Sequence, residues 1–176
     1  MQIQLPQNLV RKLSRELGRA GRREIGGVLV GEALGPDEFK IIDLSVQRSG
    51  GGTACFVRHP DEHRAFLESF FDRTGHRYSR FNYLGEWHSH PSFVPAPSSQ
   101  DLHTMQSMIS DSKLGAPFAI LMIAKLAHPN SLELSAVRFT RDFWPQLAQL
   151  DFPKMRGICL KDVLANQKWR VRYCQR

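Results

Sequence analysis

Residues 81–101 constrain the fold more tightly than any other stretch of this chain. Phe81 to His90 is rich in aromatic and β-forming residues and reads as a strand. Pro91 stops it, and Pro95 and Pro97 keep the following segment out of regular structure. Ser98 then opens a helix reading to Lys113, with Leu102, Met105 and Ile109 on its apolar side. The strand's C-terminal end must therefore lie a short loop away from the first turn of a helix. Alternate side chains of a strand share a face, so Glu86, His88 and His90 project together, the two imidazoles about 6.6 Å apart along the strand axis. Trp87 falls on the opposite face and is expected in the core.

The flanking segments predict strands and helices mixed around one core. Ile3 to Leu5 reads as a short strand. A helix follows from Gln7, with Leu9, Val10, Leu13 and Leu17 at spacings of three and four, ended by Gly18 and Gly21. Ile25 to Gly31 reads as a buried strand, and Phe39 to Val46 pairs with it across the turn signal Gly35-Pro36-Asp37. Ser49 to Thr53 is a glycine-rich loop, and Cys55 to Arg58 a further strand. Pro60 and Asp61 open a helix closed by Gly75. Phe118 to Leu126 and Leu132 to Phe139 are strands joined at His128-Pro-Asn. The class is α/β (α+β mixed). The 176 residues, 41% of them hydrophobic, suffice for one sizeable core. No apolar run approaches the ~20 residues that cross a bilayer, and Met1 to Pro6 lacks the pattern of a signal peptide. A cytoplasmic location and no membrane partner are the expectations. Cys55, Cys159 and Cys174 have neither the number nor the spacing of a disulfide framework or a thiolate metal site.

His88 and His90 can converge on one metal ion. Asp101, in the first turn of the following helix, completes a nitrogen and oxygen set suited to Zn2+, with a fourth position left open as in catalytic sites. Ser98-x-x-Asp101 is at the same time a helix-capping pattern. Hydrolysis also needs a base close to the water but outside the ligand set. Two glutamates compete: Glu86 by strand parity, and Glu24 at the start of the Ile25–Gly31 strand. Spacing alone does not choose between them.

Glu24 with Gly-Gly-Val-Leu-Val-Gly behind it, followed by His88-Ser-His90-Pro, Ser98 and Asp101, resembles the JAMM motif of MPN-domain (JAB-type) metalloproteases. The resemblance extends over residues 1–142, which it marks as a catalytic domain, leaving 143–176 as a C-terminal extension packed on it. It implies an MPN/JAB fold, related to cytidine deaminases, with a central mixed sheet flanked by helices. It implies that His88, His90 and Asp101 bind zinc. Glu24 would hold the water and shuttle its proton to the leaving amine, and Ser98 would hydrogen-bond the developing oxyanion. Glu86 then supports the site or lies at the surface. His59, His63, His76, His103 and His128 are assigned to packing or surface.

The compact form most resembles bacterial JAB-type proteases of ubiquitination-like operons, including antiphage systems. The implied activity is a zinc-dependent isopeptidase or peptidase that removes or processes a ubiquitin-like protein, or cleaves a C-terminal conjugate from a target lysine. That conjugate is the implied partner, with E1-like and E2-like enzymes of the same operon as further candidates. The substrate-binding residues stay unassigned. An extended tail ending in glycine fits a groove beside the zinc, with Ser49–Thr53 and Phe93–Pro97 as candidate walls. Two alternatives are a nucleic-acid-associated protein similar to the RadC type and a non-catalytic MPN scaffold, the latter disfavoured because no ligand is missing.

The formal charge of +7 is unevenly spread. Arg11, Lys12, Arg15, Arg19, Arg22 and Arg23 face a lone Glu16 near the N-terminus, and Lys168, Arg170, Arg172 and Arg176 crowd the C-terminus. No helix-turn-helix or aromatic-rich motif accompanies them, which disfavours nucleic acid. With a hydrolytic site between the basic ends, docking of a protein substrate through Arg19, Arg22 and Arg23 is the expectation.

Overall fold

The central strands carry apolar side chains on both faces, so the sheet they form has to be covered twice. The computed structural model describes residues 1–53, 56–111, 115–129, 131–154 and 158–164. In chain order the elements are β1 (Gln2–Gln4), α1 (Gln7–Ala20), β2 (Gly26–Gly35), β3 (Glu38–Leu44), α2 (Asp61–Arg73), β4 (Phe81–Ser89) and α3 (Ser99–Ser110). They continue with β5 (Ala119–His128), β6 (Ser131–Phe139), β7 (Gln146–Leu147), β8 (Gln149–Asp151) and β9 (Cys159–Asp162). In β5, Ile120, Met122 and Ala124 face α1, against Leu9, Val10, Leu13 and Leu17. Ala119, Leu121 and Ile123 face the other way, against Leu102, Met105 and Ile109 of α3. This is the mixed α/β class with a central mixed sheet flanked by helices.

The strand order is β7-β6-β5-β4-β2-β3-β1-β8, with β9 on β6. β4–β5, β1–β3, β1–β8 and β6–β9 are parallel, the other pairs antiparallel. β7 pairs with β6 at one end of this order and β8 with β1 at the other, yet only Ala148 separates them, its N–H bonded to Ala136 O at 3.0 Å. The sheet is thus curled round α1 until its two edges meet across residues 146–151. Residues beyond 142 therefore supply β7, β8 and β9 to the same sheet.

Several elements differ from the sequence reading, for local reasons. α1 runs through Gly18, where a Cβ would come into ordinary contact with Leu126, and stops only at Gly21, whose φ of 61° reverses the chain. α3 ends at Ser110, and Lys113, its expected end, lies outside the described residues. Cys55 is likewise outside them, and Phe56 makes an isolated bridge to Gly51 in place of a strand. No described helix is long and apolar enough to cross a membrane.

Gly85 has the most constrained backbone in β4. Its φ is 150°, and a Cβ there would fall on the carbonyl oxygen of Ile120 in β5. Beside it the β2–β4 register slips, Leu29 pairing with Gly85 but Val30 with Tyr83, which leaves Leu84 as an extra residue. The bulge turns Leu84 into the α1-side core and brings Tyr83 to the α3 side, where its hydroxyl meets Met108 Sδ at 3.8 Å. Gly85→Ala is expected to strain the backbone and push β4 off β5, costing at least about 2 kcal/mol. Urea unfolding of the variant against the unaltered chain measures this.

A candidate metal centre at the end of the fourth strand

The centre is built where β4 leaves the sheet. His88 pairs with Gly26 of β2 on one side and Ile123 of β5 on the other. Glycine at 26 is required by close approach, because a Cβ would strike the Phe56 ring, the Trp87 carbonyl and the His88 side chain. One residue past the strand, His90 N–H still bonds Ala124 O at 2.9 Å. Its Nδ1–H donates to Val94 O at 3.1 Å, which leaves Nε2 with a free lone pair directed at the cluster. Trp87 faces the α1 core as expected and donates from Nε1 to Ser45 O at 2.8 Å.

Asp101 is carried in by α3. Ser98 caps this helix in a complete capping box, its Oγ accepting from Asp101 N–H at 3.2 Å while Asp101 Oδ2 accepts from Ser98 N–H at 2.7 Å. The Ser98 hydroxyl proton also goes to Oδ2, at 2.7 Å. Oδ1 is left facing His88 Nε2 at 3.4 Å, and Oδ2 lies 3.8 Å from His90 Nε2. The two Nε2 atoms are 3.1 Å apart. Among the described residues, these three form the group whose donor atoms, all within 4.8 Å of one another, could hold a metal ion. Tetrahedral zinc with ligands at 2.0–2.2 Å requires donor separations of roughly 3.3–3.6 Å, so the set fits with shifts of a few tenths of an ångström. His59, His63, His76, His103 and His128 do not join it.

Charge states suit that fit. Burial pushes the Asp101 carboxyl up, but the bonds from His88 and from the Ser98 hydroxyl and amide outweigh it and hold the pKa at about 2. Burial lowers the His90 pKa, partly offset by Val94 O, so the ring is neutral at pH 7. Glu24 is 3% exposed, and burial raises its pKa; nearby His88 pulls it down and Asp101 pushes it up.

The two competing glutamates have different surroundings. Glu24 lines the same cleft of about 450 Å³ as His88, His90, Ser98 and Asp101. Its backbone N–H is tied to Gly52 O at 2.8 Å, while its carboxylate has no hydrogen bond or ion pair among the described residues. Glu86 shares the His88 face, as parity requires, but its carboxylate is taken by Arg58 Nε at 2.6 Å and approached by the Tyr83 hydroxyl at 3.5 Å. It is an inward ion-pair partner, not a surface residue.

Phe93, Val94 and Ala96 line the metal cleft, and no residue of 93–97 lines the groove beyond it. Of the neighbouring loop, Phe56 lines it, while Gly52 braces Glu24 from behind. From His88 and Asp101 the cleft continues as a groove of about 580 Å³ between β4 and α3, floored by Met105 and Leu121. Arg58 borders that groove and a second one of similar size beyond it. Sequence reasoning missed Phe56, Arg58 and Tyr83. Their contacts cross long sequence distances, and only the aromatic character of Phe56 offered a signal.

A buried network holds the wall that carries Phe56. Gln47 Nε2 donates to Ser49 O and Val57 O, which turns its Oε1 toward His63 Nε2–H at 3.1 Å and His59 N–H at 2.8 Å. With Nε2 protonated, His63 Nδ1 accepts from the Ser45 hydroxyl at 2.8 Å. His63 is therefore buried as the neutral ring, and burial, followed by the Arg58 charge, lowers its pKa.

Set against known proteins, residues 6–140 match the family model described as prokaryotic homologs of the JAB domain. The chain belongs to that family. A protein of Vibrio cholerae serotype O1 named "CD-NTase/cGAS isopeptidase" is 34% identical over 94 residues, covering 52% of this chain and 58% of the relative. The match thus spans less than two thirds of that relative's length. A protein of the same name from Enterobacter hormaechei subsp. hoffmannii is 28% identical over 137 residues, 76% of this chain and 73% of the relative. The solution structure of protein DSY2949 from Desulfitobacterium hafniense superposes with a TM-score of 0.63 at 18% identity, covering 87% of this chain and 94% of that one. That likeness concerns the fold alone.

A histidine with a folded pKa below its unfolded value near 6.5 stabilises the fold above that pH and loses the contribution as pH falls through it. The stability gap between the unaltered chain and His63→Gln is expected to be widest at pH 7–8. Below pH 6.5 it should narrow by at most about 1.4 kcal/mol per unit, as read by urea unfolding across pH.

Proposed function

We propose that this chain is a zinc-dependent isopeptidase that cleaves a C-terminal tail from the side-chain amine of a lysine. The observation that carries the reading is Glu24: a buried carboxylate with no partner of its own among the described residues, in one cleft with two imidazoles and an aspartate whose donor atoms could hold a metal ion. His88 Nε2, His90 Nε2 and Asp101 would hold Zn2+. Zinc in such a set supplies Lewis acidity toward a carbonyl and a water acidified to near neutral pH. Glu24 takes a proton from the attacking water and delivers it to the departing amine. A carboxyl with a pKa raised by burial suits both halves of that transfer. Ser98 Oγ exchanges its bond to Asp101 Oδ2 for one to the carbonyl oxygen, and the Ser98 backbone N–H keeps Oδ2 satisfied meanwhile.

The groove floored by Met105 and Leu121 receives the tail as an extended segment. The relatives named CD-NTase/cGAS isopeptidase support a conjugate that involves a CD-NTase; the ubiquitination-like, antiphage setting is the part of this reading that rests on the sequence resemblance. Residues 1–142 serve as the catalytic unit in this reading, with 143–176 as an extension of the same domain.

Zinc is expected to raise the melting temperature of the metal-free protein. Saturation at a thousand times Kd corresponds to about 4 kcal/mol, and His88→Ala and Asp101→Ala should each remove the effect. Calorimetry and metal analysis read this without any activity assay. Glu24→Gln should keep the zinc and its thermal shift while lowering kcat on a lysine-linked tail conjugate by about 100-fold or more. Cleavage that survives both chelation and Glu24→Gln would sink the mechanism.

A further inference from the structure

The residues that line the metal cleft fall into two sets. Phe56, His88, Gln100 and Asp101 also border the groove between β4 and α3. Glu24, His90, Phe93, Val94, Ala96 and Ser98 line the cleft and take no part in that groove. With the tail in the groove, the amine-bearing half of the bond is left to the second set. Glu24, the residue that hands a proton to the departing amine, belongs to that set too. Whatever carries the amine therefore meets the wall formed by residues 93–97.

Every side chain of that wall is apolar: Phe93-Val94-Pro95-Ala96-Pro97. Its two largest members are left uncovered, Phe93 at 52% and Val94 at 63% exposed. Its backbone offers a peptide little to pair with. Pro95 and Pro97 have no N–H, and the Ala96 N–H is bonded to Val94 O at 2.8 Å. The same carbonyl also accepts from His90 Nδ1 at 3.1 Å. A peptide segment laid here would give up hydrogen bonds to water for few in return. An alkyl chain has none to give up and gains by covering apolar surface. The wall is tied to the centre, since Val94 O holds the His90 ring and Phe93 meets that ring edge-on, centroids 6.5 Å apart.

We propose that Phe93 and Val94 hold the alkyl stem of the conjugated lysine. The proposal rests on the isopeptidase reading, which supplies the lysine. Its flexible four-carbon stem carries no hydrogen-bonding group between the scissile nitrogen and the lysine's own backbone. The target's peptide groups thus stay clear of the proline-bounded wall, and only methylenes cover Phe93 and Val94. Each methylene buried there strengthens binding by about fourfold. Selection acts on the lysine stem itself, whatever sequence surrounds it in the target.

Three labelled conjugates of one tail peptide test this: to lysine, to ornithine, and to a lysine analogue with an ether oxygen inside the stem. Ornithine shortens the stem by one methylene, and the ether keeps its length but removes apolar character. Affinity is read by fluorescence anisotropy with the full chain under chelation, and kcat/KM with zinc present. Both altered stems are expected to bind about fourfold more weakly than lysine and to be cleaved with kcat/KM lower by a similar factor. Phe93→Ser, alone and combined with Val94→Ser, should weaken the lysine conjugate and bring all three to within about twofold of one another. Phe93 is half exposed, so its loss leaves the core in place, and an unaltered thermal shift with zinc checks that the centre is intact. Equal binding of the three conjugates by the unaltered chain would overturn the proposal. So would a preference that survives in both variants, which marks contact with a target's folded surface, or an ether stem bound as tightly as lysine, which marks reach alone. A chain that binds the conjugates in the expected order yet cleaves none strikes the isopeptidase reading and leaves the stem contact standing.

Discussion

The end of β4 is gripped from both sides, by Ser89 against Ile25 of β2 and by His90 against Ala124 of β5. Two close approaches make the grip tight: Gly85 against the Ile120 carbonyl and Gly26 against the Trp87 carbonyl and the Phe56 ring. A strand held this way cannot slide or roll, which fixes the spacing of the two imidazoles. The rest of the site is referred to that strand end. α3 delivers Asp101 through a capped first turn, the start of β2 delivers Glu24, and the loop after His90 returns Val94 O to orient the second ring.

Burial pushes all three acids around this strand end toward protonation, and their partners answer it differently. Asp101 remains ionised because its oxygens are met by His88 and by Ser98. Glu86 is buried more deeply, which pushes its pKa up, and its charge is answered first by Arg58. Glu24 alone of the three has burial without a bonded partner, and burial raises its pKa. Differences in partners, not in residue type, set the three carboxylates apart.

Part of this was legible in the residues. The His-x-His face follows from strand periodicity, and the Ser98–Asp101 turn from capping chemistry; both are local, and both stand as read. The choice between Glu24 and Glu86 was not legible from spacing. Parity put Glu86 on the right face but could not say that Arg58, 28 positions earlier in the numbering, would occupy its carboxylate. Parity itself fails further up the strand, because the extra residue at Leu84 turns Tyr83 to the other face. Arg19 gains a partner in the same way, a buried glutamate on its own helix that also holds an arginine from beyond β3.

Short-range chemistry therefore belongs to the sequence alone: which segments extend or coil, which face of each is apolar, where a helix is capped, and which residues carry a metal-binding pattern. Covalent geometry and steric periodicity settle these within a few residues. Tertiary structure decided the closure of the sheet through residues 146–151, the partners of the three acids, and the apolar groove between β4 and α3. Each of these depends on where distant backbone groups come to rest. That outcome is set by the packing of both sheet faces at once, which no local pattern encodes.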